Sequence, residues 1–150
     1  MKILLSILFL FSSSFSFSAG TDSYESRDSI DPNVEFHRAK KLIYNKKYKL
    51  ALGLLKDIEN EKPFGYTKAD LYNYLGFASR KQQPPNYEEA EIYYLKALDY
   101  DANHIGALEY LGELYYETDR NDLAKTMLLK LEKVAGKSSE EYKELSELLD

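Results

Sequence analysis

The chain has 150 residues, no cysteine, and 25 acidic against 20 basic residues, a formal net charge of −5. Without cysteine there are no disulfides, no thiol nucleophile and no thiolate metal ligands. The acidic balance argues against nonspecific nucleic-acid binding, which relies on clustered Lys and Arg.

The first segment, residues 1–20, reads MKILLSILFLFSSSFSFSAG. One early cation, Lys2, precedes an apolar run from Ile3 to Phe11, and small residues follow at Ser16, Ser18, Ala19 and Gly20. That order fits a secretory signal peptide cleaved near Ser18 to Gly20. A membrane span needs roughly 20 apolar residues, and serines interrupt this one from Ser12 onward. An exported protein with no stable membrane anchor after signal cleavage is therefore expected. Residues 21–31 read as a flexible leader, and the roughly 130 residues left after cleavage suit one compact domain.

Asp31-Pro32 opens a first helix, expected over 32–45, and a second follows over 47–60. A third, 67–82, starts at a capping box of Thr67 and Asp70. Asn86 and Asn103 can cap a fourth helix, 87–100, and a fifth, 104–118. A sixth spans 121–135, and Ser138 with Glu141 opens a seventh, 138–149. The fold class is all-α.

Three of these helices repeat one pattern, in YKLALGLLKDI (48–58), YEEAEIYYLKAL (87–98) and NDLAKTMLLKLEKV (121–134). Each places an alanine, a large residue four on, and another apolar residue three further, along one face. The trios are Ala51, Leu55 and Ile58; Ala90, Tyr94 and Ala97; Ala124, Leu128 and Leu131. The preceding helices share Leu-Gly, in YNYLGFAS (72–79) and EYLGELYY (109–116). Glycine inside a helix costs about 1 kcal/mol against alanine, so both glycines imply close approach of a partner helix.

Together these motifs resemble the tetratricopeptide repeat, a 34-residue helix-turn-helix with W-x2-L-G-x2-Y followed by A-x3-F and A. Tyr72, Leu75, Gly76, Ala90, Tyr94 and Ala97 match in the middle repeat, and Leu108, Leu111, Gly112, Tyr115 and Ala124 in the last. Tyr72 and Leu108 stand where the pattern has tryptophan, and EKPFGYTKAD and RKQQPPN add residues between helices. The resemblance implies a right-handed α-solenoid of about three repeats (32–65, 66–103 and 104–136) over residues 32–135, with 137–150 as a C-terminal capping helix. The later half, with EEYKEL (140–145), is similar to small exported bacterial tetratricopeptide proteins, which implies a bacterial envelope, periplasmic location. Many of these carry a cysteine pair before the Glu-Glu-Tyr. AGKSS (135–139) stands there instead, so no role of that pair carries over.

Catalytic and metal motifs fail on spacing. AGKSS would need the first glycine of a phosphate loop at Leu131. DYDANHIG (99–106) would need a glycine at His104 and a glutamate at Tyr110 to hold calcium. His37 and His104 have no His-rich neighbourhood for zinc, and no Gly-x-Ser-x-Gly elbow occurs. Glu109, Glu113 and Glu117 share a helical stripe, expected on an exposed face, whereas paired catalytic carboxylates flank a substrate from opposite sides. No enzyme activity, cofactor or metal site is expected.

In the resembled family, first helices line a concave groove. Mapped onto this chain, that groove comprises Phe36, His37, Lys40 and Tyr44; Asn73, Tyr74, Phe77, Arg80 and Lys81; and Glu109, Tyr110, Glu113, Tyr116 and Glu117. The wall is aromatic throughout, basic toward the first two repeats and acidic in the third, which favours an amphipathic peptide or protein segment as partner. Chaperone-binding members hold a carboxylate end with Lys, Asn and Arg. Tyr74, Gly106 and Tyr110 occupy those places here, so that specificity does not carry over. The expected function is a protein-binding scaffold. The alternatives are an accessory subunit of an envelope enzyme or assembly complex, an enzyme using acids such as Glu113, or self-association through the convex face.

Overall fold

Asp31 accepts hydrogen bonds from the backbone N–H groups of Asn33 (2.9 Å) and Val34 (3.4 Å), which starts α1 (Pro32–Tyr44) where Asp-Pro predicts. The computed structural model describes residues 31–150, so the signal peptide and residues 21–30 of the leader lie outside the described residues. Six further helices follow: α2 (Tyr48–Asp57), α3 (Lys68–Lys81), α4 (Tyr87–Tyr100), α5 (Ile105–Glu117), α6 (Asn121–Ala135) and α7 (Glu140–Leu149). Among the described residues there is no strand. No helix there is long and apolar enough to cross a membrane.

The expected capping box at Thr67 and Asp70 is formed, and Asn86 accepts from the Glu89 N–H. Two expected caps move by one residue. His104, not Asn103, caps α5, because its Nδ1 accepts from the Ala107 N–H at 3.0 Å. The Asn103 N–H instead donates to Asp101 in the preceding turn. Likewise Ser139, not Ser138, caps α7 by accepting from Tyr142. The other His104 nitrogen, Nε2, lies 3.3 Å from Asp70, so the caps of α3 and α5 touch.

One turn is built twice. After α1, Lys46 has φ 57°, and the N–H groups of Lys46 and Lys47 bond back to Ile43 and Leu42. After α5, Asp119 has φ 59°, and Asp119 and Arg120 bond back to Tyr116 and Tyr115 in the same pattern. A left-handed residue followed by such back-bonds uses helix-terminal carbonyls that would otherwise lack partners.

Each helix packs on the next, and α1, α3, α5 and α7 also touch in succession. Ala51, Leu55 and Ile58, Ala90, Tyr94 and Ala97, and Ala124 and Leu131 are fully buried, while Leu128 is half-buried. They fill two abutting apolar clusters, one running from α1 to Ala107 at the start of α5 and the other from α4 to α7, with Leu98 packed against both. Gly76 faces the Tyr94 ring of α4, and Gly112 faces Leu145 of α7 and Met127 of α6. Both Leu-Gly motifs therefore mark close helix contacts, and the second receives α7 as well as α6.

Candidate functional site

The sequence-predicted wall is a packed aromatic network crossing α1, α3 and α5. Phe36 meets Tyr74 edge-on with ring centroids 5.6 Å apart, and Phe77 meets Tyr110 at 4.9 Å. Lys40 Nζ lies 5.9 Å from the Phe36 centroid and 5.5 Å from that of Tyr74. The Arg80 guanidinium sits 6.0 and 5.7 Å from Phe77 and Tyr110. Cations at such distances are drawn to ring faces, so the network ties the three helices together. Tyr74, Phe77 and Tyr110 stay half-buried and Lys40 exposed.

Four expected groove residues are buried. Phe36 is 3% exposed because Tyr66, from the loop before α3, stacks on it at 4.3 Å. Asn73 is buried against α5, where a methyl group added at Gly106 would come within 3.1 Å of its Nδ2. Arg80 is 2% exposed, drawn inward by an ion pair with Glu113 and by Glu117 at 3.5 Å. Lys81 lies 3.8 Å from the same Glu117 carboxylate. The basic end of α3 and the acidic face of α5 thus largely neutralise each other.

Glu109 is the fourth, at 4% exposure, which corrects the expectation of a fully exposed glutamate stripe. The physical reason is α7, which packs on α5 and brings Glu144 beside Glu109. Carboxylate oxygens of Glu109, Glu113 and Glu144 lie within 4.8 Å of one another. Burial first, then the hydrogen bond with Glu144 and the charge of Glu113, push the Glu109 carboxyl up to about 8. These three could ligate a metal ion, but Arg80 already engages Glu113 and burial favours a protonated Glu109, which donates to Glu144. Burial and the neighbouring Glu109 and Glu113 charges also push the Tyr110 phenol up to about 12, so it remains a donor at neutral pH.

A pH experiment follows. The ordinary value for Glu109 is 4.5 and its folded value is higher, so the native state binds the extra proton. Its contribution is fully present below about pH 4.5, and stability falls as pH rises from there to about 8. Thermal melts of wild type and Glu109→Gln should therefore diverge over that window in favour of Gln, then run parallel. A constant gap would mean that Glu109 titrates normally.

Tyr44, 87% exposed, and Tyr116, 40% exposed, sit at the last turns of α1 and α5. His37, also exposed, sits edge-on to Phe36 at 6.1 Å. Sequence reasoning missed Tyr66, Tyr94 and Glu144 as parts of the site. The available signal was spacing: Arg80 and Glu113 are 33 residues apart, as are Lys56 and Glu89, and Asp70 and His104 are 34 apart. In these three pairs, side chains 33 or 34 residues apart are neighbours.

Comparison of the chain with protein-family models gives no match, and comparison with curated proteins gives none.

Proposed function

We propose that the chain is a right-handed α-solenoid of about three tetratricopeptide-type repeats capped by α7. In this reading it is a non-enzymatic binding module of the bacterial envelope, gripping a peptide or protein segment along α1, α3 and α5. The observation that carries it is the aromatic network across those helices, with Tyr74, Phe77 and Tyr110 held in place while part of each ring stays accessible. Aromatic side chains fixed in this way offer contact area at little entropic cost. The repeated turn after α1 and α5 and the succession α1, α3, α5, α7 support the repeat reading. Among the described residues Arg80 and Lys81 are paired and Lys40 enters no ion pair, so the wall offers an ammonium at one end and the carboxyl cluster of Glu109, Glu113 and Glu144 at the other. A partner segment with apolar or aromatic side chains between an acidic and a basic end fits it.

The test is crosslinking in the native compartment followed by measurement with the captured partner. Tyr74→Ala should weaken binding about 30-fold, the size of one hot-spot residue of about 2 kcal/mol, with helical content unchanged at the temperature of measurement, while the lost packing on Phe36 lowers the melting temperature. Equal affinity of wild type and variant would sink the groove reading.

A further inference from the structure

We propose that the edge formed by the α1–α2 turn docks on an anionic lipid surface. Residues 31–50 carry six basic side chains against two acidic ones in a chain of net charge −5. Lys41, Lys46, Lys47 and Lys49 are all exposed. Among the described residues none of the four enters an ion pair, whereas Lys56 and Lys81 are each paired with a glutamate. The tight turn at Lys46 folds the end of α1 back against the start of α2, and Lys46, Lys47 and Lys49 gather there on one edge, with Lys41 in the last turn of α1. Lys46, Lys47, Lys49 and Leu50, with Gln83 from the α3–α4 connection, line one shallow concavity there.

Large apolar groups accompany the charge. Tyr44 is 87% exposed and Leu50 is 62% exposed. Lysines beside an exposed aromatic and an exposed leucine match a bilayer interface, where ammonium groups meet anionic headgroups and apolar tips reach the acyl boundary. Long lysine stems allow both at once. A phosphodiester backbone would neutralise the lysines but leave Leu50 in water. Protein partners are typically gripped by Arg and aromatic anchors in closed pockets, whereas this edge is shallow and open and its cations are lysines. Of the expected groove only Tyr44 is shared with this edge, and the positions tested, Lys46, Lys47, Lys49 and Leu50, lie outside the groove, so the inference stands or falls separately from it.

The experiment uses the full chain with vesicles of phosphatidylcholine alone or mixed with phosphatidylglycerol, read by co-sedimentation. Residues 1–20, with Lys2 and the apolar run at 3–11, are common to wild type and variants, so the quantity read is how the ratio of the two affinities changes between them. Wild type should prefer the anionic vesicles, and added salt should reduce that preference. The triple variant Lys46→Gln, Lys47→Gln and Lys49→Gln should lose about a hundredfold of it, at roughly fivefold per lysine. Leu50→Ser should lose about tenfold of binding to anionic vesicles. All four positions are exposed or lie in a turn, and circular dichroism checks that the fold is intact. A wild-type ratio near one overturns the proposal, as does an equal ratio in wild type and triple variant. Binding to soluble poly-glutamate that disappears in the triple variant, without any vesicle preference, overturns it in favour of an acidic protein partner.

Discussion

Glu113→Ala is expected to lower the unfolding free energy by about 3 kcal/mol in urea titration, and Arg80→Met by only about 1 kcal/mol, although both break the same ion pair. The asymmetry comes from burial. The Arg80 side chain is completely buried, and its Nε has no hydrogen-bond partner. Its charge depends on Glu113 and on Glu117 at 3.5 Å, a carboxylate that is 33% exposed and therefore screened. Removing Glu113 strands a guanidinium between the Phe77 and Tyr110 rings, where water cannot replace the lost partner. Removing Arg80 instead leaves two carboxylates at 16% and 33% exposure that can reach solvent, while methionine fills the space between the rings. The double variant Arg80→Met/Glu113→Ala should then cost far less than the single changes added together, a coupling of about 2 kcal/mol. Equal single losses, or simple additivity, would mean that the pair behaves as a surface salt bridge.

The same ion pair marks how far the sequence could be read. Helix number and the buried alanine faces were legible because apolar spacing is a local signal, set by 3.6 residues per turn. The close approach at Gly76 and Gly112 was legible because glycine inside a helix needs a reason. The wall was legible as a set of residues but not as a surface. Assigning each side chain to solvent or interior requires knowing what the next helix carries. Arg80 reads as a free cation on α3 until Glu113 and Glu117 stand opposite on α5. Glu109 reads as a solvated acid until α7 covers it, about thirty residues later in the chain. Phe36 is capped by Tyr66, which lies in an inserted loop that the repeat pattern does not describe. Propensity and periodicity fix the elements, whereas the charge state of the site depends on contacts between elements one repeat apart.

Gly76→Ala is expected to destabilise the wild-type protein and to stabilise a Tyr94→Ala background, a reversal of sign at one position. A methyl group at Gly76 would come 2.7 Å from Cδ1 and Cε1 of Tyr94. That ring is fully buried and packed against Tyr110 at 6.3 Å, so it cannot swing away without displacing the wall. Overpacking of this kind costs about 3 kcal/mol and the better helix propensity of alanine returns about 1 kcal/mol. The net loss is about 2 kcal/mol, or about 8 °C in Tm for a domain of this size. Tyr94→Ala alone removes a fully buried aromatic side chain and should cost about 4 kcal/mol. Once the ring is gone, the Gly76 methyl meets a cavity, and both the propensity gain and the partial filling favour it. Gly76→Ala/Tyr94→Ala should therefore melt higher than Tyr94→Ala by about 4 °C or more. If Gly76→Ala lowered Tm equally in both backgrounds, the glycine would owe its place to something other than the ring. The close packing of α3 on α4 would then need another cause.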